Sequence, residues 1–113
     1  MVAPSEGKVV LVSFPFSDLS QSKLRPAIVL AYADRDDWIL CQITSRPYAD
    51  DRAISLDDED FSSGALQIKS YARPGKLFTA HHILMKADVG RLRKSKFEQV
   101  INTIIDVLRS GLV

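Results

Sequence analysis

The chain has 113 residues, of which 46% are hydrophobic and 26% charged, and its formal net charge is +1. A chain of this length buries enough apolar surface for one core and not for two, so we expect a single domain, residues 1–113. The near-neutral charge argues against a protein that coats duplex DNA by bulk attraction, and the single cysteine, Cys41, excludes an internal disulfide.

The first residues, Met1–Lys8, lack the basic and apolar regions of a secretory signal, and no stretch reaches the roughly 18 apolar residues of a membrane helix. We therefore expect a cytoplasmic protein with no membrane contact.

The first strand is predicted at Lys8–Phe14, a run of β-branched and aromatic residues that ends before Pro15. The polar segment Ser17–Leu24 has no apolar periodicity, which predicts a loop.

Two further strands follow this loop. The apolar run Pro26–Ala31 predicts the second strand, because a proline is tolerated at the start of a strand. Tyr32–Asp37 is predicted to turn the chain, and Trp38–Thr44 to form the third strand. Pro47 lies just beyond the end of that strand.

The middle of the chain contains shorter candidate strands. They are predicted at Ala53–Leu56, Ala65–Ser70 and Lys76–Thr79, and they are separated by Gly64 and by the turn signal Arg73–Gly75. Many short strands with regular turns between them are typical of a small barrel or sandwich.

The last segment changes from strand to helix periodicity. Its apolar residues recur at helical spacing: Phe97, Val100, Ile101, Ile104, Ile105 and Leu108. Ser95 and Glu98 have the spacing of a capping box, and Gly111 lies where helices often end in the left-handed conformation. This pattern predicts a C-terminal α-helix whose apolar stripe packs on the sheet or on a partner.

Several kinds of chemistry find no support in the residue pattern. His81 and His82 are adjacent, so in an extended segment they face opposite sides and rarely bind one ion. Cys41 lies within an apolar strand, where a thiol is usually inert. The acidic run Asp57–Asp60 lacks the spacing of a calcium loop, and no glycine-rich phosphate loop is present. We therefore expect no metal ion and no other cofactor.

Hydrogen-bond donors instead collect at the predicted strand ends. These residues are Arg25, Thr44, Ser45, Lys69, Ser70 and Arg73. A guanidinium can make two parallel hydrogen bonds to a phosphate, and a neighbouring hydroxyl can bond a third oxygen. The set suits a phosphodiester, although each member also has an ordinary explanation, such as a surface ion pair for Arg25.

Four segments resemble the MazF/PemK family of toxins. In chain order they are GKVVLVSFPFSDLSQSKLRPAIVL, ILCQITSR, KSYARPGKLFT and VGRLRKSKFEQVINTIIDVL, and they extend from Gly7 to Leu108. The Arg-Pro-Ala and Ile-Thr-Ser runs are the most specific. The resemblance implies a mainly β fold, a small SH3-like (CcdB/MazF-type) β-barrel with a C-terminal α-helix. It also implies a homodimer that cleaves single-stranded RNA sequence-selectively and is neutralised by a cognate antitoxin with an acidic segment.

The resemblance also implies the catalytic residues. The arginine of the family corresponds to Arg25, and its threonine or serine at the end of the third strand corresponds to Thr44, with Ser45 adjacent. The implied reaction is attack of the ribose 2′-hydroxyl on the neighbouring phosphorus, which leaves a 2′,3′-cyclic phosphate and a 5′-hydroxyl. Because the nucleophile belongs to the substrate, no metal is needed. Contacts to RNA are expected from Lys23, Ser45, Lys69, Ser70 and Arg73.

The sequence does not identify the group that accepts the proton of the 2′-hydroxyl. Several family members carry an acid before the Arg-Pro pair or near the later turn, where this chain has Ser20–Lys23 and Lys69–Tyr71. Arginine stays protonated in proteins and is a poor general base. The remaining candidates are Asp18, Lys69, His81 and His82.

Three alternatives remain open from the sequence. The chain can be a catalytically weak or inactive member that acts as an RNA-binding or antitoxin-binding barrel. It can be a gyrase poison of the related CcdB type, which uses a tryptophan in its C-terminal tail, although the only tryptophan here is Trp38. It can also be a structural dimerisation module, which would not explain the donors at the strand ends.

Overall fold

A computed structural model describes residues 2–15 and 22–112 of the chain. The described strands are β1 (Lys8–Pro15), β2 (Ser22–Asp34), β3 (Asp37–Thr44), β4 (Ile54–Leu56), β5 (Phe61–Gly64), β6 (Ser70–His81) and β7 (Met85–Leu92). Short 3₁₀ turns occupy Asp58–Asp60 and His82–Leu84, and helix α1 spans Lys94–Arg109. The strands form one curled antiparallel sheet in the order β4-β6-β3-β2-β1-β7-β5, which confirms the predicted mainly β fold with a C-terminal helix.

The β2–β3 hairpin is longer than predicted. Its turn consists of two residues only, Arg35 and Asp36, whose φ angles of 48° and 64° are typical of a type I′ turn. The predicted turn at Tyr32–Asp37 was therefore too wide, because β2 continues to Asp34. At its other end β2 includes Ser22–Leu24, which were predicted to be loop, because pairing with the end of β1 extends the strand. The rest of the predicted loop lies outside the described residues.

The middle of the chain corrects two predictions. The predicted strand Ala65–Ser70 is wrong, because β5 ends at Gly64 and residues 65–69 form an irregular loop. Leu66 of that loop packs against the core, whereas Ile68 is 65% exposed, so the apolar residues do not follow the alternation of a strand. The predicted strand Lys76–Thr79 is part of the longer β6, and neither β5 nor β7 was predicted.

The central strands are buried on both faces. Side chains of one face join α1 in a first core cluster, and side chains of the other face form a second cluster with the 3₁₀ turn after β6. The first cluster includes Val9, Ile28, Cys41, Ile43, Phe61, Leu92, Val100 and Ile104. The second includes Val10, Val12, Ala27, Val29, Leu40 and Met85. Burial on both sides therefore specifies the register of β1, β2 and β3.

Helix α1 confirms the predicted helix but not its predicted ends. Arg93 is the N-cap and the helix begins at Lys94, so Ser95 lies inside the first turn and the predicted capping box does not form. At the other end Ser110 keeps a right-handed helical conformation, and its amide donates to the carbonyl of Val107. Gly111 therefore does not adopt the predicted left-handed conformation.

The apolar stripe of α1 is narrower than predicted. Val100 and Ile104 are buried, and Phe97 packs beside them, whereas Ile105 and Leu108 are 42% and 67% exposed. Only part of the predicted stripe therefore covers the sheet. No helix within the described residues has the length and apolar character needed to cross a membrane.

The acidic 3₁₀ turn at Asp58–Asp60 anchors the start of α1. Arg93 Nε donates to the carbonyl of Glu59 at 2.8 Å, and Lys96 Nζ lies 3.6 Å from Asp60 Oδ1. The backbone amide of Asp57 donates to Asp60 Oδ2 at 2.8 Å, which closes the turn. The acidic run is therefore a structural support for the helix.

A bulge in β6 lies beside the end of β3. Cys41 pairs with Leu77 and Ile43 with Ala72, so the four residues 73–76 of β6 lie opposite the single residue Gln42 of β3. The thiol of Cys41 donates to the carbonyl of Arg73 at 3.3 Å, and burial raises the pKa of this thiol to about 12.

The Arg73 side chain connects the bulge to Asp50 through an ion pair. Arg73 Nε donates to Asp50 Oδ2 at 2.9 Å, and this hydrogen bond lowers the pKa of the Asp50 carboxyl. Asp50 lies in the segment between β3 and β4, and its other carboxylate oxygen accepts the amide of Arg52 at 3.0 Å. The ion pair therefore ties β6 to the segment that follows Thr44.

We expect Asp50→Asn to lower the free energy of unfolding at neutral pH by about 1–2 kcal/mol, because it removes the charged acceptor of Arg73. The folded-state pKa of Asp50 is lowered, so this contribution is complete above the unfolded-state carboxyl pKa of about 3.9 and is lost as the pH falls through the folded-state value. Urea unfolding of both proteins across the acid range measures the difference. Asp51→Asn, at an exposed neighbouring carboxyl, is the control, and a difference independent of pH would contradict the assignment.

The strands β5 and β7 approach so closely that only glycine fits at Gly64. A Cβ atom there would lie 2.0 Å from the carbonyl oxygen of Val89 and 2.6 Å from Cα of Gly90, and the φ angle of Gly64 is +69°. We expect Gly64→Ala to destabilise the fold by about 2–4 kcal/mol in denaturant unfolding. Gly75→Ala is the matched control, because its Cβ would meet nothing within 4 Å. Equal stability of the two variants would refute the close approach.

Candidate active site

Three strand ends meet at one end of the sheet. In an antiparallel sheet the start of β2 lies beside the end of β3, which lies beside the start of β6. Ala27 pairs with Gln42 across β2 and β3, so Arg25, two residues before Ala27, and Thr44, two residues after Gln42, lie at the same end of the two strands. Thr44 itself pairs with Tyr71 of β6. Polar residues from distant parts of the sequence therefore lie together at this end of the sheet.

A cavity of about 220 Å³ lies at this meeting point. It contains most of the polar residues that the sequence predicted for the site: Lys23, Arg25, Thr44, Ser45 and Ser70. The same cavity has an apolar lining formed by Leu24, Pro26, Ile43, Leu66 and Ile68. A fixed guanidinium and three hydroxyl groups around one small cavity have the composition of a phosphate site.

Two of the three hydroxyls of this cavity make local hydrogen bonds. Thr44 Oγ1 accepts the amide of Arg46 at 3.1 Å and donates to the carbonyl of Arg46 at 3.2 Å. Ser70 is 3% exposed, and its hydroxyl donates to the carbonyl of Ile68 at 2.8 Å. A hydroxyl has one proton, so Thr44 can donate to a phosphate oxygen only after its O–H rotates away from Arg46.

Two predicted RNA contacts lie outside this cavity. Lys69 lines an adjacent acidic cavity and forms an ion pair with Asp57, whose hydrogen bond raises the pKa of Lys69. Arg73 lines a separate polar cavity of about 490 Å³, together with Arg52 and Lys76, and is paired with Asp50. The sequence could not reveal these acidic partners, because each lies at least ten residues away along the chain.

The candidate proton acceptors are not brought to the cavity either. His81 and His82 line a different cavity of about 900 Å³ near the N-terminal segment. His81 Nδ1 accepts the amide of Ile83 at 3.1 Å, and the His82 ring lies 2.5 Å from the carbonyl of Val2. Asp18 lies outside the described residues. Within residues 2–15 and 22–112, no three His, Cys, Asp or Glu side chains are grouped as a metal site would require.

The apolar lining was not predicted as part of the site. Leu24 is 53% exposed and Ile68 is 65% exposed. Each is a large aliphatic residue within a polar stretch next to a predicted site residue, and that isolation is the signal that could have identified them.

Solved structures that share this fold include toxins and toxin–antitoxin complexes. A chain of MazE-MazF (Form-II) from Deinococcus radiodurans is 18% identical, the alignment covers 100% of both chains, and the TM-score is 0.75. MazF (Form-I) from the same organism is 18% identical over 96% of this chain and 98% of that chain, with a TM-score of 0.74. An endoribonuclease in complex with its cognate antitoxin, from Mycobacterial species, is 12% identical over 98% of both chains, also with a TM-score of 0.74.

Sequence identities of 12–18% show a common fold only. No curated protein matches the chain. The family assignment comes from a sequence model. The model of PemK-like, MazF-like toxins of type II toxin–antitoxin systems matches residues 5–108, which is nearly the whole chain and includes every residue of the cavity. The chain therefore belongs to the PemK-like, MazF-like family of toxins of type II toxin–antitoxin systems.

Proposed function

We propose that this chain is a metal-independent, sequence-selective endoribonuclease that cleaves single-stranded RNA. The observation that supports this proposal most directly is that Arg25 and Thr44 line one cavity in a chain of this toxin family. Solved structures that share the fold include named endoribonucleases. Residues 1–113 would form a single toxin domain that acts in the cytoplasm as a homodimer.

The proposed reaction uses the substrate's own nucleophile. The ribose 2′-hydroxyl attacks the adjacent phosphorus, the bond to the 5′-oxygen of the next nucleotide breaks, and the products are a 2′,3′-cyclic phosphate and a 5′-hydroxyl. DNA lacks the attacking group, so it would remain uncut. Neither a metal-bound water nor a protein nucleophile is required for this step.

The protein's contribution is electrostatic. The Arg25 guanidinium stabilises the negative charge that accumulates on the non-bridging oxygens as the 2′-oxygen attacks. Thr44 rotates its O–H from the Arg46 carbonyl toward one of these oxygens and donates a hydrogen bond there. This rotation breaks the hydrogen bond from Thr44 to the carbonyl of Arg46. The new hydrogen bond offsets that loss best when the phosphate oxygen carries the most negative charge, which is the case in the transition state.

We further propose that a cognate antitoxin neutralises the toxin by placing an acidic segment across the cavity. Two of the solved structures described above are complexes, one with a cognate antitoxin and one with MazE. Among the residues that the structure describes, the ionisable members of the cavity lining are Lys23 and Arg25, which are both basic. An acidic peptide and the RNA backbone would therefore compete for the same side chains.

The composition of the lining also favours a second candidate function, a catalytically weak barrel that binds RNA or antitoxin. Its described ionisable members are Lys23 and Arg25, and no carboxylate or histidine is among the described lining residues. Lys69 is engaged with Asp57, and the histidines line another cavity. A gyrase poison of CcdB type is less consistent, because Trp38 lies in β3 and packs edge-on against Tyr32 at 5.2 Å.

We expect the purified protein to cut unstructured RNA in excess chelator and to leave 2′,3′-cyclic phosphate and 5′-hydroxyl ends. Thr44→Val should lower the rate about 10²-fold, because it removes one transition-state donor, and Arg25→Ala should lower it at least as much. Thr79→Val and Arg109→Ala, at exposed positions outside the cavity, are the matched controls. End-specific sequencing and a 2′-deoxy substitution at the cut nucleotide are the measurements.

A need for added magnesium would contradict the proposed chemistry. RNA binding without any cleavage, in a protein that is folded by circular dichroism, would favour the second candidate function.

A further inference from the structure

The apolar lining of the cavity lies directly beside its polar lining. It is formed by Leu24 and Pro26 from β2, by Ile43 from β3, and by Leu66 and Ile68 from the loop of residues 65–69. Leu24 and Ile68 are both more than half exposed, although each is a large aliphatic side chain. Exposed apolar groups bordered by polar residues are characteristic of binding surfaces.

The core does not require Ile68. Leu66 of the same loop packs against the first core cluster, whereas Ile68 does not belong to that cluster or to the residues packed on it. Leu24 likewise belongs to neither core cluster. These two side chains therefore contribute little to the folded state of this chain, and a ligand that covered them would gain the free energy of their burial.

The loop that carries Ile68 is held in place from both sides. On one side Leu66 packs into the core. On the other side the Ser70 hydroxyl donates to the carbonyl of Ile68, and Lys69 forms its ion pair with Asp57. Asp57 in turn belongs to the turn closed by its amide bond to Asp60. A surface that is fixed before binding loses less conformational freedom when a ligand arrives.

The size of the cavity limits its occupant. Its volume of about 220 Å³ is below the range of roughly 300–1,000 Å³ that is typical of sites for drug-sized ligands. A volume of this size favours a small ligand group, such as a single ring system, over a larger ligand. Because Arg25 and Thr44 contribute to the same cavity, the apolar part continues the proposed phosphate site and is not a separate groove.

We propose that Leu24, Leu66 and Ile68 form an apolar seat for one nucleobase of the RNA strand, adjacent to the phosphate at Arg25 and Thr44. The seat determines which nucleotide is preferred next to the cut. It deepens the proposed function and rests on RNA as the ligand, but base binding does not depend on cleavage. Aliphatic side chains release no counterions, so this contribution to affinity is independent of salt, in contrast to that of Arg25.

The experiment has two parts. A randomised RNA pool is cleaved and its fragment ends are sequenced, which gives the nucleotide frequency at each position around the cut. Binding is then measured by fluorescence anisotropy with a labelled, fully 2′-O-methylated RNA of the preferred sequence, at several salt concentrations. If the wild type does not cleave, 2′-O-methylated oligomers of A, C and U are the probes.

We expect Ile68→Ala and Leu24→Ala each to weaken binding about 5- to 10-fold, with an unchanged slope of log Kd against log salt concentration. Both should flatten the nucleotide preference at one position. Ile68→Val should restore most of the affinity, because it keeps the branched apolar surface. Ile83→Ala is the matched control, since Ile83 is 69% exposed and lines a different cavity. Arg25→Ala should instead reduce the salt slope by about 1.

The possible outcomes bear differently on the nuclease and on the apolar seat. If the wild type cleaves RNA and Ile68→Ala behaves as Ile83→Ala does, the seat is wrong and the nuclease stands. If the affinity loss in Ile68→Ala comes with a reduced salt slope, the side chain supports phosphate contacts and the seat is again wrong. If the protein binds without cleaving and Ile68 matters as expected, the seat stands and the nuclease fails. If it neither binds nor cleaves RNA, both proposals are overturned.

Discussion

The antiparallel pairing of β2, β3 and β6 is the constraint on which the candidate site depends. It places the start of β2 beside the end of β3 and the start of β6, and so collects Arg25, Thr44 and Ser70 from distant parts of the chain. A slip of one residue would turn a strand's side chains to the opposite face. The register is held because neighbouring residues such as Ile28 and Val29 are buried on opposite faces in separate core clusters. The apolar pattern of the core thus positions the polar residues of the cavity.

Much of this arrangement could be predicted from sequence because its signals are local. Runs of β-branched residues identified the first three strands, and helical spacing identified α1. Once strand ends are known, a polar residue at each end is a candidate for the same edge of the sheet. That reasoning, together with the resemblance to MazF and PemK toxins, predicted Lys23, Arg25, Thr44, Ser45 and Ser70, and the structure places them in one cavity.

What the sequence could not show was mostly non-local. Lys69 and Arg73 looked like RNA contacts because Asp57 and Asp50, their partners, lie elsewhere in the chain. The strand β7 alternates apolar and charged residues in its first half, but Gly90 interrupts the pattern, and its pairing with β1 is irregular. The start of α1 is fixed by contacts with the acidic turn, so local capping signals gave the wrong first residue.

Leu66 contributes both to the hydrophobic core and to the candidate site. Its side chain packs on the hydrophobic core and also lines the cavity that we assign to the RNA. Repacking of the core beneath it would move one side of the cavity without any change in a residue that touches the substrate. Under the proposed function, substitutions in the core beneath Leu66 would therefore change the base preference of the seat while Arg25 and Thr44 stay the same.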